Sequence, residues 1–260
     1  MTRIAIALVV LGVLGSALAE DWPRWRGPRG DGTWNAPRLP EKWPANRPRI
    51  VWKQPIGSGY AGITVADSRV FTLDLEAPIA PRTKGAPDDG KPDGTERVLC
   101  FDAATGEKKW SHSYPVKYGS LGGYANGPRT SPTISEGKVY TLGAVGHLFC
   151  FDAKTGDIIW QHDTVAKLKA RVPEWGFAGS PIIEGALVMS TSWSRGRWLL
   201  WRSTAARTRN TGVHSTPRSY CTPTVMEVHL PERSSCYGRP KRTFALDPAT
   251  GKPLWRVPYG

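Results

Sequence analysis

Beyond its N-terminus the sequence has no long apolar run. That excludes a transmembrane helix, which needs about 20 consecutive apolar residues. The single apolar run, Ile4 to Leu14, is too short to span a bilayer. It follows a basic start at Arg3 and precedes Ala17-Leu18-Ala19, the small-x-small pattern that a signal peptidase cuts. Residues 1–19 therefore read as a signal peptide, residues 20–48 as a leader segment of the mature chain, and the protein as periplasmic or secreted. No cysteine follows the apolar run, so no lipoprotein anchor is expected.

Cysteine and histidine are also scarce, with four Cys and five His. No C-x-x-C, C-x-x-C-H or His-rich spacing occurs, which argues against a zinc ribbon and a covalently attached haem. No Ser-His-Asp arrangement is visible. Acidic residues form no cluster outside one Pro/Gly-rich stretch, where Asp74, Glu76, Asp88, Asp89 and Asp93 occur together. Residues 74–96 read as a solvated loop inserted in a β-unit, in preference to an oxygen-rich Ca²⁺ loop. The glycine-rich "GSGYAG" and "SLGGYANG" do not link a strand to a helix, which argues against phosphate loops.

What the chain does have is glycine, proline and tryptophan: 28, 23 and 12 residues among 260. Such a composition suits a turn-rich β protein. A motif recurs at fixed offsets: "FDAATGEKKW" from Phe101, "FDAKTGDIIW" from Phe151 and "LDPATGKPLW" from Leu246. Its constant residues are Asp102, Thr105, Gly106 and Trp110, then Asp152, Thr155, Gly156 and Trp160, then Asp247, Thr250, Gly251 and Trp255. An apolar run precedes each copy and another follows, which reads as strand, tight turn, strand. The aspartate can accept backbone N–H groups within the turn, and the glycine tolerates positive φ. Cys100 and Cys150 each stand two residues before the aspartate, and repeat symmetry favours two small buried side chains over a bridge. His112 and His162 each follow the tryptophan by two, and packing within the repeat accounts for them. Two further short alternating runs precede each motif, so each unit holds four strands over roughly 45–50 residues, the pattern of a β-propeller blade.

The D-x-x-T-G-x-x-x-W repeat resembles the tryptophan-docking motif of the PQQ-like propellers, the superfamily of the quinoprotein alcohol dehydrogenases and of the scaffold lipoprotein of the outer-membrane β-barrel assembly machine. The leader "DWPRWRGPRGDG", Asp21 to Gly32, resembles the start of secreted members. The resemblance implies an all-β propeller of four-stranded antiparallel blades over residues 49–260. It also implies that Trp110, Trp160 and Trp255 lock one blade to the next. A complete propeller of this kind has more blades than the roughly four to five expected here, so the expected propeller is incomplete. The dehydrogenases carry an adjacent Cys-Cys pair against the quinone, and this sequence has none. The reading is an exported, non-catalytic scaffold for protein partners, with no cofactor. PQQ and calcium belong only to the alternative, a fragment of a PQQ-dependent oxidoreductase.

One beat is missing near residue 203. Residues 194–242 carry +8 of the chain's formal +13, so the remainder is only mildly basic. A basic window can mark a nucleic-acid surface, but the codons offer another account. Joining the third base of each codon to the first two of the next lets Leu200/Trp201 encode an apolar residue and Ser203/Thr204 encode Asp. The same shift lets Ala206/Arg207 encode Thr and Thr211/Gly212 encode Trp. The hidden frame thus restores most of the motif on the missing beat, which points to compensated frameshifts and leaves no case for a nucleic-acid partner. In the frame as translated, the window is expected to loop out of the blades, because unpaired arginines are costly to bury.

Overall fold

The computed structural model describes residues 20–35, 41–42, 48–76, 94–118, 121, 127–185, 187–194, 197–202, 220–227, 233–239, 242–247 and 253–258. The signal-peptide reading, Asp88, Asp89 and Asp93, and the turn residues Thr250 and Gly251 lie outside these.

The described chain forms four antiparallel sheets in sequence order. The first holds β1 (Thr64–Ala66), β2 (Arg69–Leu75), β3 (Gly94–Asp102) and β4 (Lys108–Val116). The second holds β5 (Thr133–Ser135), β6 (Lys138–Leu142), β7 (His147–Asp152) and β8 (Ile158–Asp163). A five-residue helix, α1 (Thr164–Leu168), follows, with Asp163 accepting from the N–H groups of Val165 and Ala166. The third sheet holds β9 (Ile182–Glu184), β10 (Leu187–Ser194) and β11 (Arg197–Arg202), with β11 at its edge. The fourth holds β12 (Thr224–Glu227), β13 (Arg233–Arg239), β14 (Arg242–Leu246) and β15 (Pro253–Pro258). Each four-stranded sheet is a simple meander, the pattern of a propeller blade.

The repeats set the register. Cys100 pairs with Trp110, Cys150 with Trp160 and Ala245 with Trp255, and in each sheet the register shifts at the next residue. The extra residue of such a bulge lets the strand twist away from its partner. The faces between blades are apolar. Phe71, Leu73, Val98 and Val116 of the first sheet form one core with Val139, Phe149 and Phe151 of the second. Leu142, Leu148 and Cys150 of the second pack with Val188 of the third. Burial pushes the thiol of Cys100 up to about 12 and that of Cys150 up to about 11. Both are free, and Cys221 is exposed. A thiol reagent followed by peptide mapping should therefore modify Cys221 in the native protein, and Cys100 and Cys150 only after unfolding, because the thiolate is the reacting form. Equal native labelling of all three would contradict this packing.

Two expectations need correction. The segment 74–96 is strand at both ends: β2 runs to Leu75 and β3 starts at Gly94, and Asp74 and Glu96 are buried. Pro/Gly content masked strand ends whose carboxyls have internal partners. Residues 197–202 and 233–239 are strands as well, not looped out. In both, arginines stand at the strand ends while the middle reads "WLLW" and "SSCYG", so no arginine occupies a strand centre.

Candidate functional site

The turns form as their residues dictate. The Asp102 carboxylate accepts from the N–H groups of Ala104 and Thr105 at 3.0 and 2.9 Å, and from the Thr105 hydroxyl at 3.0 Å. Asp152 accepts from the N–H groups of Lys154 and Thr155 at 2.8 and 2.9 Å. The Thr105 and Thr155 N–H bonds are the leading reason that both carboxyls sit below the ordinary range. Gly106 and Gly156 take φ of 74° and 80°, the left-handed region that glycine enters without strain. A second constraint falls on the same glycines. A Cβ on Gly156 would stand 2.7 Å from the Trp110 ring, and one on Gly106 would stand 2.6 Å from the Trp52 ring. The Trp110 indole donates to Ala153 O at 3.1 Å, and Trp52 donates to Ala103 O at 2.8 Å. Trp52 was not singled out in the sequence, because no Asp-Thr-Gly turn precedes it.

Trp160 differs. Its indole N–H is buried and has no acceptor among the described residues. Asp247 and Trp255 are half-buried on the fourth sheet. His112 packs on Phe149 and Phe151, with ring centroids 5.2 Å from each. His162 packs on Trp160 at 5.3 Å.

A different set of equivalent positions converges on a cleft. Four residues ahead of the first strand of each sheet stand Tyr60, Arg129, Ala178 and Tyr220. With Trp175 they line an open cleft of about 400 Å³. The Trp175 and Tyr220 rings stack at 5.3 Å and 26°. The Arg129 guanidinium lies 5.7 Å from the Tyr60 ring centroid, and burial lowers its pKa. The Trp175 loop is pinned to the second sheet by the Phe177 N–H, which donates to Ala144 O at 2.8 Å.

Two residues nearer the strands stand Gly62, Ser131, Ser180 and Thr222, again one per sheet. The last three link the second, third and fourth sheets in a relay: Ser131 N–H donates to the Ser180 hydroxyl at 2.8 Å, and Ser180 N–H donates to the Thr222 hydroxyl at 3.0 Å. The signal was present in the sequence as Ser-Pro-Thr, Ser-Pro-Ile and Thr-Pro-Thr at the head of successive blades.

The leader bonds to the first strands of the first two sheets and shares a cavity with those of the other two. Trp22 exchanges both backbone hydrogen bonds with Val65 of β1, and Pro23 O accepts from Ile134 N–H of β5, each between 2.8 and 2.9 Å. Arg24, Trp25 and Arg29 then share a small cavity with Ile182 of β9 and with Thr224 and Val225 of β12. The leader thus lies along the inner strands, whose open edges would otherwise expose unpaired backbone groups.

Two buried carboxyls lie within the first blade and its interface with the second. Asp74 accepts from the Arg97 guanidinium at 2.6 and 2.8 Å and from Gly57 N–H at 2.6 Å. Glu96, fully buried, accepts from the hydroxyls of Tyr114 and Tyr118 and from Ala144 N–H. Burial is the main cause of its raised pKa, opposed by those three bonds.

No family model matches the sequence, and no curated protein matches it. Among solved structures, the quinohemoprotein alcohol dehydrogenase from Comamonas testosteroni aligns over 92% of this chain and 41% of its own, at 17% identity and a TM-score of 0.61. A quinohemoprotein alcohol dehydrogenase from Pseudomonas putida HK5 aligns over 80% of this chain and 35% of its own, at 16% identity and a TM-score of 0.51. BamB from Moraxella catarrhalis aligns over 75% and 57%, at 16% identity and a TM-score of 0.43. The chain thus spans less than half the length of the two dehydrogenases. Its blades, and their likeness to those two structures, make the fold a partial β-propeller of the kind found in the quinohemoprotein alcohol dehydrogenases.

Proposed function

We propose that this protein is an exported, non-catalytic propeller that binds a protein partner at the cleft ringed by Tyr60, Arg129, Trp175 and Tyr220. The observation that carries this reading is the chemistry of the cleft wall: aromatic faces and one guanidinium, with no carboxylate among the described lining residues. A Ca²⁺-bound quinone does not fit that donor set. Calcium takes six to eight oxygen ligands, several of them carboxylate, and the guanidinium in the wall repels a divalent cation. The buried carboxyls Asp74 and Glu96 already accept internal donors, three hydrogen bonds each. Tyrosine, tryptophan and arginine are the residues enriched where proteins bind proteins. Export rests on the N-terminal segment, and no helix of the described residues is long and apolar enough to cross a membrane. The tryptophans of the repeat serve the blade interfaces in this reading, and Trp110 on Gly156 is the geometry that supports it.

The second reading, a fragment of a PQQ-dependent oxidoreductase, draws on the likeness to dehydrogenases more than twice as long. Titration with PQQ and Ca²⁺ separates the two. The expected result is no bound chromophore, no quenching of tryptophan fluorescence and no turnover of an artificial electron acceptor. PQQ-dependent turnover would overturn the proposal.

A further inference from the structure

The wall of the cleft selects among the shapes a partner segment can take. Its described lining residues present aromatic faces, one methyl group and one guanidinium. Two pairs stand there: the Arg129 guanidinium 5.7 Å from the Tyr60 ring centroid, and the Trp175 ring stacked on Tyr220. Ala178, the equivalent residue of the third sheet, puts a methyl where the second and fourth sheets put Arg129 and Tyr220. Tyr60 and Trp175 are 54% and 50% exposed, so covering their rings removes apolar surface from water. At about 400 Å³ the cleft has the size of a small-molecule site, so it takes a few residues of a partner and not the face of a domain.

Three modes of peptide capture compete for such a site. Strand addition needs an exposed backbone edge, and this wall is made of side chains that precede the first strands. A docked helix is about 10–12 Å across with its side chains, and one turn of that cylinder alone fills roughly 400 Å³ or more. A polyproline II segment needs neither an edge nor a long groove. It docks on aromatic faces, and its shape is set before binding.

Hydrogen-bond chemistry favours the same mode. Arginine and tryptophan side chains offer N–H donors and no acceptor, and a tyrosine hydroxyl serves either way. A wall of this kind suits a ligand that accepts more than it donates. Proline has no N–H, and in polyproline II its carbonyls make no internal hydrogen bonds. A sugar, by contrast, brings a donor on every hydroxyl, and the described wall holds no carboxylate or amide side chain to accept them. Charge then selects a neighbour for the prolines. Arg129 is the one charged side chain of the described wall, and burial lowers its pKa. A carboxylate on the ligand would restore the charged form through a charge-assisted hydrogen bond.

Resting on the cleft reading above, we propose that the partner enters this cleft with a proline-rich segment in the polyproline II conformation, its prolines against the rings of Tyr60, Trp175 and Tyr220 and an acidic side chain on Arg129.

Fluorescence anisotropy of labelled, end-capped peptides, titrated with the full mature chain, tests this. The probe is an oligoproline with one central glutamate. It should bind about tenfold or more tightly than the same peptide with alanine in place of every proline, and more tightly than the form with glutamine in place of glutamate. Tyr60→Ala and Trp175→Ala change half-exposed rings, so the fold should hold, and each should weaken the probe about tenfold, the loss of one aromatic anchor. Arg129→Met should erase the preference for glutamate over glutamine and keep that for proline over alanine. An alanine peptide that binds as tightly as the oligoproline and is weakened by Trp175→Ala would overturn the proposal and leave the cleft a protein site. A glutamate preference that survives Arg129→Met would overturn the role of the arginine. Binding of cellohexaose with no binding of any peptide, or a probe affinity unchanged by both ring variants, would overturn the proposal and the cleft reading together.

Discussion

Glu96→Ala should lower the stability of the fold by about 3–5 kcal/mol, because it strands three donors at once. Tyr114, Tyr118 and the Ala144 N–H all give hydrogen bonds to this carboxyl. Both tyrosines are buried, and Ala144 is fully buried. A buried donor left without an acceptor costs about 1–3 kcal/mol, and the removed side chain leaves space besides. The carboxyl joins β3, β4 and the turn after β6, so the loss should loosen the interface of the first two blades. Denaturant unfolding reads the magnitude, and a loss below about 1 kcal/mol would show that the three donors find other partners.

The same residue sets a pH dependence, and Glu96→Gln isolates it. Burial raises the folded pKa above the ordinary 4.5. A raised carboxyl contributes stability that is fully present below its unfolded value and is lost as pH rises through the folded value. The wild type should therefore lose stability relative to Glu96→Gln as pH climbs from about 4.5 through that folded value. Asp102 and Asp152 have lowered values and act in the opposite direction, losing their contribution as pH falls. They are common to both proteins and cancel in the difference. Parallel stability curves across that range would refute the assignment of Glu96.

How much of this could be read from the sequence depends on the range of the interaction. The Asp-Thr-Gly turns were legible because the hydrogen bonds within the turn reach no further than five residues: Asp102 pairs there with Ala104, Thr105, Gly106 and Glu107. The buried Glu96 was not legible. It sits in a Pro/Gly-rich stretch that reads as a solvated loop, and its partner Ala144 lies 48 positions away. The leader was recognised as a segment, but its pairing with Val65 and Ile134 depends on sheet edges that exist only once the blades have formed. The cleft escaped for a third reason. Its residues are Tyr, Arg, Ala and Tyr, so equivalence of position, not of residue type, brings them together. The Ser-Pro and Thr-Pro pairs two residues on carried the alignment that would have revealed them.

Trp110→Ala should cost about 3 kcal/mol, the low end of the range for truncating a large buried aromatic, because this ring is only partly buried. The substitution removes ring contacts to Phe71 at 5.9 Å and Phe151 at 5.7 Å, the hydrogen bond to Ala153 O and the cover over Gly156. Trp160 offers an internal control, since it stands in the same register but its buried indole N–H has no acceptor among the described residues. Phenylalanine at each position separates the hydrogen bond from the ring. Trp110→Phe gives up a bond worth about 1 kcal/mol and leaves the Ala153 carbonyl unpaired. Trp160→Phe removes a donor that is already unsatisfied, and relief of that desolvation offsets part of the lost ring area. Unfolding curves should therefore show the Trp110→Phe loss exceeding the Trp160→Phe loss by about 1 kcal/mol. Equal losses would mean that the Trp160 indole has found an acceptor, and that the third blade carries a turn where the translated sequence lacks the motif.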